Sequence, residues 1–149
     1  YFRFDQMCIP ATEVGYFKHS WIADLMVYNE KHVHEIEVKV SKEDLLGEEI
    51  SKADKHALLK KQYTGMNLPN KFSFCVPTEL VPIALEFAEK LNPSYGVYEC
   101  LSNRKYISQR NIKCIKRAKD LKTGYAEKLK ENIIRRLTSE ICNFYKFED

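Results

Sequence analysis

The sequence predicts a single α/β domain, a central mixed β-sheet of about five strands flanked by α-helices. Three observations lead there. Stretches with strand alternation and stretches with helical spacing succeed one another along the chain. The 149 residues, 44% of them hydrophobic, suffice for one real core. No repeat, low-complexity tract or evident linker divides them. One domain is therefore expected over residues 1–149, its core spanning about 7–118 and a C-terminal helix about 125–145.

Taken in order, Phe2 to Ile9 is expected as a first strand. Trp21 to Tyr28 (WIADLMVY) and Val33 to Val40 (VHEIEVKV) are stronger strands, and the turn-like Asn29 to His32 joins them as a hairpin. Ser41 can cap a helix whose first turn carries Asp44, where an acid meets the positive helix end. That helical region should run toward Lys61, interrupted near Gly47 and restarted at Ser51. Asn70 to Val76 alternates Phe72, Phe74 and Val76 with polar or small residues, as a strand does. From Pro77 to Leu91 the apolar Ile83, Ala84, Phe87, Ala88 and Leu91 have helical spacing, and Pro82 fits only a first turn. Asn92-Pro93-Ser94 ends that helix. Tyr95 to Leu101 and Asn111 to Ile115 read as the last strands, parted by a polar turn at Ser102 to Lys105. Leu129, Ile133, Leu137 and Ile141 stripe a final helix, read chiefly as core cover.

Five cysteines at positions 8, 75, 100, 114 and 142 are odd in number and form no CxxC. Buried thiols in a reducing, intracellular compartment are the simplest expectation. No apolar stretch approaches the roughly 20 residues of a bilayer span, and no signal peptide is evident, so a soluble protein without a membrane partner is expected. Because the chain begins at Tyr1, an upstream element is allowed for.

Net charge is +3, but residues 1–100 hold 11 basic and 15 acidic side chains while residues 101–149 hold 13 and 6. From Arg104 to Lys119 there are seven Lys or Arg and no acid, interspersed with Tyr106, Gln109 and Asn111. Such a stretch suits a polyanion, with Arg104, Lys105, Arg110, Lys113, Lys116 and Arg117 as phosphate contacts. Read alone it is equally a solvated basic edge.

The chemistry is concentrated between Asp24 and Lys39. In an alternating strand Glu35, Glu37 and Lys39 share one face and Ile36, Val38 and Val40 the other, so charge is expected on the side opposite the packed one. Asp24 is an acid inside an apolar run, and the hairpin can bring it beside Glu37. Clustered carboxylates repel one another and are well satisfied by a hard cation such as Mg²⁺ or Mn²⁺. A neighbouring lysine can then position water and stabilise a phosphorane-like transition state.

An acid on one strand followed by Glu37-Val38-Lys39 on the next resembles the PD-(D/E)xK nuclease superfamily. The longer string ADLMVYNEKHVHEIEVKVSKEDL, with KADKH, NKFSFCVP and YGVYEC after it, is similar to the MmcB-like DNA-repair branch over most of residues 12–118. The resemblance implies a restriction-endonuclease-like fold, metal-dependent DNA hydrolysis, metal ligation by Asp24 and Glu37, and a catalytic role for Lys39. Glu35 is an additional candidate ligand, and Glu13 matches the extra acid that an N-terminal element supplies in many members. Ala23, rather than Pro, precedes the first acid.

Each residue also has a plainer reading. Glu35, Glu37 and Lys39 taken singly suit an exposed strand with cross-strand ion pairs, and Asp44 suits a capping acid. Lys52, Lys55 and His56 can line a helical face toward DNA or simply face solvent. His19, His32 and His34 have no zinc spacing. Tyr63, Tyr106 and Tyr125 can stack on bases but are ordinary packing residues by default. A metal-dependent DNA nuclease is thus the function expected, with a non-cleaving nucleic-acid-binding module or an RNA nuclease as alternatives and a homodimer left open.

Overall fold

The computed structural model of the chain describes residues 8–16, 21–61, 67–101, 111–123 and 127–145. Its elements, in order, are β1 (Ile9–Tyr16), β2 (Trp21–Tyr28), β3 (Val33–Val38), α1 (Lys42–Ser51), α2 (Ala53–Lys60), β4 (Lys71–Pro77), a 3₁₀ turn (Thr78–Leu80), α3 (Val81–Leu91), β5 (Gly96–Cys100), β6 (Ile112–Lys116) and α4 (Glu127–Tyr145). The six strands form one mixed sheet in sequential order. β1, β2 and β3 are an antiparallel meander; β4 and β5 run parallel to β3, and β6 turns back against β5.

Two connections join parallel strands, β3 to β4 through α1 and α2, and β4 to β5 through α3. Crossovers of one hand that step the same way along a sheet must lie on the same face. The core agrees: α1, α2, α3 and α4 send Leu45, Leu59, Phe87 and Leu129 into a single cluster with Met26, Phe72, Phe74 and Val97. The other face carries a small cluster of Val27, Ile36, Cys75 and Tyr98 to which no described helix contributes. Among the described residues the helices therefore cover one face of the sheet rather than two.

β1 differs from the expected first strand, most of which lies outside the described residues. Its buried residues are Ala11, Val14 and Tyr16, and those of the facing part of β2 are Ala23 and Met26. A spacing of three replaces two in both strands, across Glu13 and Asp24. The register is nevertheless continuous, with Thr12 opposite Leu25 and Val14 opposite Ala23. Glu13 takes a left-handed φ of 49°, and the alternation of faces inverts there.

Gly47 does not interrupt the first helix. The break comes at Lys52, whose φ of −125° separates α1 from α2. Ser41 caps α1 as its sequence implies, accepting from the Asp44 N–H at 3.1 Å. Among the described residues none of the cysteines is in a disulfide; Cys75 is buried, Cys8 and Cys114 are half-buried, and Cys100 and Cys142 are exposed, against the expectation that all are core thiols. No described helix is long and apolar enough to cross a membrane.

Candidate metal centre

β2 pairs with β3 only as far as Leu25 opposite Ile36. Beyond that point Asp24 replaces the ladder: the Val38 N–H, left without a strand partner on that side, donates to Asp24 Oδ2 at 2.8 Å. Asp24 is exposed, yet burial of its carboxyl together with nearby Glu37 outweighs that hydrogen bond and raises its pKa. The acid of β2 and the Glu-x-Lys of β3 thus meet at the C-terminal end of β3, where open α/β sheets commonly carry their sites.

The face that bears Glu35, Glu37 and Lys39 is not the solvent face. It lies beneath α1 and α2: Glu35 and Glu37 are fully buried and Lys39 is only 6% exposed. Val38 and Val40, expected to pack, are 44% and 76% exposed on the other face. Acids in such a position need partners. Lys55 of α2, itself fully buried, lies 3.1 Å from Glu35, 2.9 Å from Glu37 and 3.1 Å from Glu48 of α1. Lys52 reaches Glu37 at 2.8 Å and Glu48 at 3.7 Å. Lys39 reaches Glu48 at 2.9 Å, Asp44 at 3.3 Å and Glu37 at 3.9 Å. Three buried carboxylates meet three ammoniums.

Around them lies a shell of rings. Tyr16 donates to Glu35 Oε2 at 2.5 Å, and His56 Nδ1 is 2.8 Å from the Tyr95 hydroxyl while its Nε2 is 3.4 Å from Glu48. Burial raises Glu35 to about 7, Glu37 adding to that and Lys55 opposing it. For Glu37 burial pushes up as well, but Lys55 and the hydrogen bonds from Glu35 and Lys52 overcome it and hold the carboxyl low. Glu48 is held well below the usual carboxylate range: burial works against this, and His56, Lys55 and Lys39 outweigh it. Burial would discharge Lys55, and the three glutamates reverse that, so the ammonium stays charged. Both tyrosines rise, chiefly through burial.

The structure separates the expected site residues. Glu35, Glu37 and Lys39 come together in the lysine network, and Asp24 docks beside them on the Val38 N–H. Glu13 does not join them, because its carboxylate is held by Arg136 of α4 at 2.9 Å. Lys55 and His56 cannot touch DNA phosphates, being 0% and 7% exposed inside the network. Lys116 pairs with Glu89 of α3 at 2.6 Å. In register Lys116 is level with Glu37 but three strands away, across β4 and β5; Lys113 stands further up that strand, opposite Glu99, and Arg117 follows beyond the strand's end. Arg104, Lys105, Arg110, Tyr63, Tyr106, Tyr125 and His19 fall outside the described residues.

Glu48 was not singled out from the sequence. The available signal was its spacing, four before Lys52 and eight before His56, which puts all three on one helical side. As they stand, the described residues hold no group of three His, Cys, Asp or Glu side chains placed for a metal ion. Mg²⁺, however, takes one or two carboxylates and keeps several waters. Glu37 and Glu48 are close enough to share single ammoniums, and both Glu48 oxygens are buried without a well-directed hydrogen bond. Glu37 and Glu48 thus share one locus, which lysine ammoniums fill, and Asp24 lies near enough to Glu37 to feel its charge.

No family model matches the chain, and no curated protein does. Among solved structures it is similar to the SPO1766 protein of unknown function from Silicibacter pomeroyi, with a TM-score of 0.60 and 13% identity over 97% of this chain and 81% of that one. At that identity the likeness concerns the fold alone.

Proposed function

We propose that the chain is a divalent-metal-dependent nuclease acting on DNA, related in architecture to the PD-(D/E)xK enzymes. The observation that carries the reading is the junction at the end of β3, where Asp24 docks on the backbone of the Glu37-Val38-Lys39 segment. Mg²⁺ or Mn²⁺, when bound, supplies Lewis-acid charge for the phosphodiester and makes water acidic enough to attack at neutral pH. Asp24 and Glu37 would hold the ion, with Glu48 as a third acid. Lys39, kept charged by Glu48 and Glu37 against the effect of burial, directs an ammonium toward developing phosphoryl charge. Lys52 and Asp44, the network members with side chains 25% and 47% exposed, mark the side from which a substrate approaches.

The test is a cleavage panel of single-stranded, duplex, flap and four-way-junction DNA, with RNA alongside, in Mg²⁺, Mn²⁺ or EDTA. Lys39→Ala should lose about 10²-fold or more in rate while circular dichroism stays that of the parent. Equal cleavage by Lys39→Ala would remove the catalytic assignment.

A second reading, a nucleic-acid-binding module that does not cut, is favoured by the charge balance: three glutamates already matched by Lys39, Lys52 and Lys55. Binding to DNA without metal-dependent cleavage of any substrate would establish it.

A further inference from the structure

The helix-free face of the sheet carries a cavity of about 310 Å³ that the nuclease reading does not use. It lies over the end of the sheet opposite Glu37, between the start of β4 and the segment after β6, and is lined by Val27, His32, His34, Lys71, Tyr98 and Arg117 among others. No Asp or Glu among the described residues lines it. Lys39, Lys52, Lys55 and Lys116, by comparison, are each paired with carboxylates. Among the described residues Lys71 and Arg117 make no ion pair.

We propose that this cavity binds a small phosphomonoester, of nucleoside monophosphate size or smaller, with Lys71 and Arg117 holding the phosphate and the wall of Val27 and Tyr98 receiving its organic part.

Four physical points support the class. First, two cations in one concavity without a carboxylate focus positive potential inside it. The field is visible in its neighbours: after burial, Lys71 is the next cause depressing both His32 and His34, while Asp120 offsets it only at His32. Second, the guanidinium fork matches phosphate oxygens two at a time and the ammonium adds a point charge. Third, the wall is pre-organised. His34 Nε2 is fixed 2.8 Å from Ser73 Oγ, and its ring leans on Tyr98 with centroids 6.0 Å apart. Fourth, the size is at the lower end of the roughly 300–1,000 Å³ of ligand pockets, which suits a monophosphate.

Isothermal titration of the full chain with inorganic phosphate, AMP and adenosine tests this. Saturable binding of phosphate and AMP is expected, AMP tighter, with adenosine showing none. Lys71→Gln and Arg117→Gln should each weaken AMP by about tenfold or more, whereas Lys119→Gln, an exposed cation outside the cavity, should leave it unchanged. Amide NMR spectra of each variant, matching the parent away from the substitution, show that folding is retained; should a variant fail this, its Met counterpart is measured instead. The proposal fails if phosphate and AMP do not saturate, if adenosine binds as tightly as AMP, or if Lys119→Gln weakens AMP as much as the cavity variants. Because the cavity and Glu37 lie on opposite faces, loss of AMP binding leaves nuclease activity unaffected.

Discussion

Lys55 has no water contact, and what keeps it charged is that three carboxylates surround one ammonium at 2.9–3.1 Å. Removing one partner from such a set leaves the others buried and short of charge, which costs about 3–5 kcal/mol. Glu48→Gln should lose stability of that order in urea denaturation at pH 7. The pH dependence separates the acids. Glu48 is depressed below its ordinary 4.5, so the stability it contributes is present above that value and is lost as pH falls. Glu48→Gln should therefore flatten the acid limb of the stability profile. Glu35 is raised to about 7, so the folded state keeps a proton that the unfolded state has released, and stability falls as pH rises from 4.5 through about 7. Glu35→Gln should abolish that decline, as read from unfolding free energies between pH 5 and 8. An unchanged slope in that window would show that Glu35 titrates normally.

At the scale of elements, the two informative glycines act in opposite senses. Gly47 sits inside α1, and a methyl added to it would meet nothing within 4 Å, so its helix-breaking character is overridden by the packing of its neighbours rather than used. Gly47→Ala should stabilise the protein by about 0.5–1 kcal/mol. Gly96, at the start of β5, lies where strands close: a methyl there would fall on Ser73 Oγ, 2.7 Å from the Ala118 nitrogen and 2.9 Å from the Lys116 carbonyl. Gly96→Ala should destabilise and lower the thermal midpoint, while Gly47→Ala raises it. The helix break was legible as an event but not in position. A sequence shows where a chain can break most cheaply, whereas Lys52 breaks it where Glu37, on a distant strand, takes its ammonium.

At the scale of the whole molecule, the basic stretch is divided by the sheet. Lys116 is paired with Glu89 and Arg117 lines the cavity on the helix-free face, so neither extends a surface beside Asp24. Of the candidate phosphate contacts in this segment there remain Lys113, on β6, and Arg104, Lys105 and Arg110, which lie outside the described residues. Neutralising the latter three should weaken duplex binding alike for all sequences and lower the log–log salt slope by about 0.9 per lost contact, measured in Ca²⁺ to suppress cutting. Lys116→Gln should leave the slope as it is. The sequence by itself determined the alternation of strands and helices, the β2–β3 hairpin, the Ser41 cap and the side-by-side placement of Glu37 and Lys39, because these depend on period and on residues a few positions apart. Tertiary structure alone decided which face of β3 is inside. Both faces of that strand can be buried or exposed as far as alternation is concerned, and the choice falls to helices that follow it: α1 and α2 bring Glu48, Lys52 and Lys55 over the charged side, and paired charges then occupy the interior that isolated ones could not.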